Sequence, residues 1–132
     1  MELPTFEKVK KEFIVDQEEY SKSQLSKLMS ILLNFCKITK DGQVITMKKI
    51  ATRKVLKLIL SARFIAHAAD NSIRETITKE ELRAYSGIAK DNVFTARFND
   101  MLRENFAEKK ENIVKAKNIL LIEQFLGGLK NE

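Results

Sequence analysis

The stretch Thr78-Lys79-Glu80-Glu81-Leu82-Arg83-Ala84-Tyr85-Ser86-Gly87-Ile88-Ala89-Lys90-Asp91-Asn92-Val93-Phe94-Thr95-Ala96-Arg97-Phe98-Asn99-Asp100-Met101-Leu102 decides the fold. Thr78 and Glu81, three residues apart, form a capping box: the hydroxyl accepts from a backbone N–H of the first turn while the carboxylate reaches back to the capping residue. The short helix opened there carries Leu82 and Tyr85 and ends at Gly87, since glycine tolerates the left-handed backbone that closes many helices. Ile88-Ala89-Lys90 is a tight connection. A second helix is expected from near Asp91 to about Asn105, with Val93, Phe94, Phe98, Met101 and Leu102 at helical spacing.

Working outward, residues 106–109 and 113–116 flank Lys110-Glu111-Asn112 and read as a two-stranded hairpin. Asn118 is placed to cap a final helix carrying Ile119, Leu120, Ile122, Phe125 and Leu126, which Gly127-Gly128 is expected to stop. Upstream, Thr52 is expected to cap a long helix in which Val55, Leu56, Ile59, Leu60, Arg63, Phe64 and His67 recur every three or four residues until Asp70-Asn71. Apolar residues cover most of its circumference, so it belongs at the centre of the core. Before it, Asp41-Gly42 separates two short runs rich in β-branched residues, predicting strands at about Phe35–Ile38 and Gln43–Met47. At the N-terminus, Phe6, Val9, Phe13 and Ile14 predict an amphipathic helix or helical turn. Asp16 with Glu19 predicts the cap of another helix, from about Gln17 to Leu33.

The expected fold class is therefore mainly α with small β hairpins. From about Thr52 to Ala116 the order long helix, capped short helix, Gly-Ile turn, second helix and β hairpin resembles the winged helix-turn-helix superfamily of archaeal and bacterial transcription regulators. The residues that carry the resemblance are Leu82, Gly87, Ile88, Val93 and Ala96; Arg83 and Ser86 depart from it, standing where many members have alanine and an apolar residue. The resemblance implies that these positions hold the two helices together and that the exposed face of the second helix enters the DNA major groove. It covers roughly half of the chain and divides a single domain into N-terminal helices (1–34), a basic β hairpin (35–51), a winged helix-turn-helix core (52–116) and a C-terminal helix (117–132).

Composition narrows the functions. The 132 residues carry 24 Lys and Arg against 18 Asp and Glu, a formal charge of +6, which points to an anionic partner. The charge is unevenly placed: residues 35–69 hold 8 bases and 1 acid, whereas 70–105 hold 6 and 7. With one cysteine, Cys36, and one histidine, His67, neither an internal disulfide nor a cysteine/histidine zinc site can be assembled within the chain. Cys36 reads as a small buried hydrophobe, and His67, on an apolar helix face, as a packing residue. Arg63 and Arg97 lie near apolar positions and are expected to pair with carboxylates at helix edges. No Walker loop, dinucleotide-binding glycine pattern or nucleophile elbow is present, so no catalytic residue, metal or cofactor is expected. No signal peptide or membrane span is read, and the expected location is cytoplasmic.

The leading expectation is a DNA-binding protein, a transcriptional regulator. The second helix (about 91–105) would lie in the major groove, with Lys90, Asn92, Thr95, Asn99 and Arg103 on its open face, while the wing, through Lys109 and Lys110, and the basic residues 37–57 hold phosphates. Among the basic residues, Lys48, Lys49, Arg53 and Lys54 are the strongest candidates, joined by Lys57. Dimerisation through terminal helices would supply a second half-site. The alternative is a non-enzymatic winged-helix module that binds protein in a transcription or replication assembly, its basic segment meeting an acidic partner. RNA ranks below duplex DNA, because the Phe and Tyr side chains fall on apolar stripes rather than open stacking surfaces.

Overall fold

A computed structural model describes residues 5–13 and 22–129. In it the chain is helix-rich with two small antiparallel sheets: α1 (Phe6–Phe13), α2 (Lys22–Leu32), β1 (Cys36–Ile38), β2 (Val44–Thr46), α3 (Thr52–Ala69), β3 (Ile77–Thr78), α4 (Lys79–Ser86), α5 (Asp91–Arg103), β4 (Ala107–Lys110), β5 (Ile113–Ala116) and α6 (Ile119–Leu129). The expected helix over 17–33 is seen from Lys22 onward; Ile14, Asp16 and Glu19 lie outside the described residues.

α3 is the central post. Leu58, Ile59, Leu60 and Ile65 are wholly buried, and α2, α4, α5, α6 and both sheets pack around the helix. It starts without the expected cap: the N-cap is Ala51, no side chain bonds the first turn, and Thr52 is already helical. Burial of Val55 and Leu56 one turn further on holds this end in place of a hydroxyl, since packing outweighs a single cap in a helix of this kind.

β1 and β2 form the expected hairpin, with Cys36 opposite Thr46 and Ile38 opposite Val44. The Gly42 N–H donates to Thr39 O (2.9 Å) and Thr39 N–H to Gln43 O (3.0 Å), a three-residue loop that needs Gly42 at its positive φ of 90°. Arg63 corrects the sequence reading. Instead of pairing with a carboxylate, its buried guanidinium donates to three backbone oxygens: Gly42 O (2.8 Å), Arg74 O (2.7 Å) and Thr76 O (2.7 Å). One side chain of the central helix thus ties the hairpin loop to the segment leading into β3. Arg97 does meet a carboxylate, with Nη1 3.4 Å from Asp100.

The capping box at α4 forms as read. Thr78 Oγ1 accepts from Glu81 N–H (3.1 Å), Glu81 Oε1 accepts from Thr78 N–H (3.2 Å), and Gly87 closes the helix at φ 72°. Partial burial pushes the Glu81 carboxyl up, but the Thr78 bonds, the Tyr85 hydroxyl and the charge of Arg63 outweigh it and leave it below its ordinary value. A group depressed in the folded state contributes stability above its unfolded pKa and loses it as pH falls through the folded one. Thr78→Ala should therefore cost about 1 kcal/mol near neutrality. The difference from wild type, read by urea unfolding, should shrink in acid once Glu81 is protonated.

Three further corrections concern the second half of the chain. The β4–β5 hairpin begins at Ala107 rather than Phe106, runs to Lys110, and turns on two residues, Glu111-Asn112, with Glu111 at φ 56°. It is joined by a strand absent from the sequence reading, β3, giving the order β3-β5-β4. The glycine pair does not stop α6, which continues through Gly127 and Gly128 to Leu129. Each glycine costs the helix about 1 kcal/mol, and burial of Leu129 at the end offsets it. Asn118 caps this helix as expected, its Oδ1 accepting from Leu121 N–H (3.0 Å).

Candidate nucleic-acid interface

α5 has two distinct sides. Phe94, Phe98 and Met101 are buried, the first two rings stacked with centroids 5.7 Å apart. On the other side Asn92, Thr95, Asn99 and Arg103 are exposed at steps of three and four, with exposed Lys90 at the N-cap. These are the five residues expected from sequence, and they share one open helix face. Arg83 fixes the start of the helix by pairing with Asp91 and donating to Ala89 O (2.9 Å). Arg103 is already engaged: its Nη2 donates to Asp100 Oδ1 at 2.9 Å. A phosphate or base taking Arg103 would have to compete with that carboxylate.

The β4–β5 hairpin is short and held down. Asn112 donates through Nδ2 to Glu80 Oε2 (2.6 Å), and its carbonyl accepts from Lys79 N–H (3.1 Å), so the turn sits on the first residues of α4. The Asn112 bond is the main cause that keeps the Glu80 carboxyl below its ordinary value. At the base of the hairpin Lys115 lies 3.3 Å from Glu75 and 3.6 Å from Glu108. Desolvation opposes its charge, but the two carboxylates prevail and raise its pKa. Lys109 and Lys110 stay exposed on β4.

The basic segment lies at the start of α3. Lys48, Lys49 and Arg53 are exposed and Lys54 is half-buried; Lys48 also places its ammonium 5.0 Å from the centre of the Phe35 ring. The first turn of α3 carries no acid, so its N-terminal dipole adds to the same positive field. Lys57 does not join the open bases: it pairs with Glu104 and lies 5.5 Å from the centre of the Phe106 ring. That pair brings the early turns of α3 against the end of α5. Arg53, one turn before Lys57 on the same side of α3, is exposed. Nothing in the sequence signalled Lys57–Glu104, a contact across more than forty positions. Arg63, counted with the basic block by sequence, is buried and takes no part in this surface.

The remaining reactive groups are structural. Burial pushes the Cys36 thiol up to about 11, which suppresses the thiolate needed for nucleophilic or metal chemistry. His67 Nδ1 lies 2.7 Å from Ile73 O and fastens the end of α3 to the following loop. Among the described residues, no group of three or more His, Cys, Asp or Glu is arranged to hold a metal ion, and no helix is long and apolar enough to cross a membrane. No protein-family model matches the chain, and neither a curated protein nor a solved structure matches it.

Proposed function

We propose that this chain is a winged helix-turn-helix protein that binds duplex DNA and acts as a transcriptional regulator. The observation that carries the reading is topological. α3, β3, α4, α5, β4 and β5 follow in that order, and β3, the strand between the first two helices, pairs with β5 in a β3-β5-β4 sheet. This is the arrangement expected when a helix-turn-helix is braced by a three-stranded wing. α5 then lies in the major groove. Asn92 and Asn99 offer paired donor and acceptor atoms to adenine, and Thr95 meets a thymine methyl or a phosphate. Lys48, Lys49, Arg53 and Lys54 neutralise phosphates beside the end of α5, with Lys109 and Lys110 adding to them from the wing. A second copy supplies the second half-site through α1, whose Phe6 and Val9 are exposed; α6 instead buries Ile122, Leu126 and Leu129 within its own chain.

Retention of duplex DNA should weaken steeply with salt, by about 0.9 log unit of affinity per log unit of salt for each phosphate contacted. Reversing Lys48, Lys49, Arg53 and Lys54 to glutamate should flatten that slope by about three units or more. A protein that does not retain DNA at low ionic strength, or a variant with unchanged binding, contradicts the reading. The engagement of Arg97 and Arg103 by Asp100 and the pinning of the wing by Glu80 favour a second reading, a protein-binding winged helix without enzymatic activity. In that case DNA affinity is weak and indifferent to sequence, and Thr95→Ala with Asn99→Ala leaves it unchanged.

A further inference from the structure

Away from α5, the β1–β2 hairpin presents a different surface. Leu33, Ile45 and Met47 are 55%, 47% and 53% exposed, unusually open for large apolar side chains. Ile45 stands opposite Lys37 across the ladder, so the two point to the same side, and Met47, two residues on, shares it. Leu33 and Lys37 also line an apolar groove of about 200 Å³ between the end of α2, β1 and α3, floored by Leu32, Ala62 and Ile65. The groove runs along the open edge of β1. The ladder bonds made by Phe35 O and Thr39 N–H alternate with residues whose peptide groups turn the other way. Cys36 and Ile38 therefore direct their N–H and C=O groups away from β2, toward that groove.

We infer that this edge and groove form a docking surface for a short acidic peptide segment of another protein, one that carries bulky apolar side chains. Charge selects the partner: Lys37 lines the groove, and Lys48 and Lys49, both exposed, follow Met47 directly in the chain. Shape and chemistry exclude the other anionic candidates. A phosphate backbone gains nothing from Leu33, Ile45 and Met47, and a bilayer surface is too flat to fill a groove. An extended segment, by contrast, can pair with the edge of β1 while seating alternate side chains in the groove. The groove lies apart from α5 and shares only Lys48 and Lys49 with the proposed DNA surface, so it does not rest on the DNA reading.

The test is fluorescence anisotropy with a labelled synthetic peptide of Asp, Glu, Leu and Phe, beside a control peptide in which Ser replaces Leu and Phe. The wild-type protein should bind the first and not the second. Leu33→Ser combined with Ile45→Ser should weaken peptide binding about tenfold, with unchanged thermal unfolding and unchanged duplex DNA retention. Lys37→Glu should also weaken it. Equal binding of both peptides, full binding by the double variant, or binding to phosphatidylserine vesicles in place of the peptide overturns the proposal. Loss of DNA binding by α5 variants leaves the peptide result untouched, so the two readings fail separately.

Discussion

Replacing Arg63 with methionine is expected to lower stability by about 3 to 5 kcal/mol, although the substitution adds apolar character to the centre of the fold. The reason is the set of oxygens left behind. Gly42 O, Arg74 O and Thr76 O each accept from the guanidinium at 2.7 to 2.8 Å, and hydrogen bonds from a charged donor contribute more than neutral ones. Arg63→Lys should recover little, because a single ammonium cannot reproduce a planar fork aimed at acceptors on two segments. The neighbouring Gly42→Ala should be damaging for a related reason: its Cβ would lie 3.1 Å from Arg63 Cζ on a backbone at φ +90°. Urea unfolding should show the midpoint of Arg63→Met falling with little change in slope. A loss below about 1 kcal/mol would mean that the three contacts do not organise the core.

Phe98→Ala should cost a similar amount, about 3 to 5 kcal/mol, through the transfer and cavity terms of a large buried ring. Phe98 is 2% exposed, stacks on Phe94 and lies under Lys79, whose Nζ is 5.1 Å from the ring centre. The ring therefore joins α5 to the first residue of α4. Losing it should lower Tm and also weaken DNA binding, since α5 would no longer present its outer side chains at a fixed angle. Thr95→Ala and Asn99→Ala, one turn away on the open side, should change stability by less than about 0.5 kcal/mol. If Phe98→Ala and Thr95→Ala unfold at the same denaturant concentration, the two-sided account of α5 is wrong.

Local chemistry was readable wherever the cause of the structure lies within a few residues. The Thr78–Glu81 capping box, Gly87 at its left-handed position, the Gly42 loop and the Asn118 cap all belong to this class, as does the division of α5 into Phe94/Phe98/Met101 and Asn92/Thr95/Asn99 sides. What the sequence could not supply depends on distant partners. β3 is two residues long and exists because Ile77 and Thr78 pair with Val114 and Ile113. Arg63 looked like a helix-edge cation, since its acceptors are backbone oxygens that carry no sequence signature. α6 passes its two glycines because Leu129 finds the core, and α3 starts without its expected cap because Val55 and Leu56 are buried one turn further on. The site was legible in part for the same reason. Helical spacing located the open face of α5, while Lys57–Glu104, which ties an early turn of α3 to the end of α5, has no local trace.

The central claim is that the open side of α5 and the basic start of α3 together form the DNA surface, and backbone amide shifts during titration with short duplex DNA test it most directly. The account predicts that the shifts concentrate on residues 90–103 and 48–54, with smaller changes at Lys109 and Lys110, and fade as salt is added. Shifts confined to the β1–β2 hairpin and its groove, with α5 unmoved at low ionic strength, would contradict it.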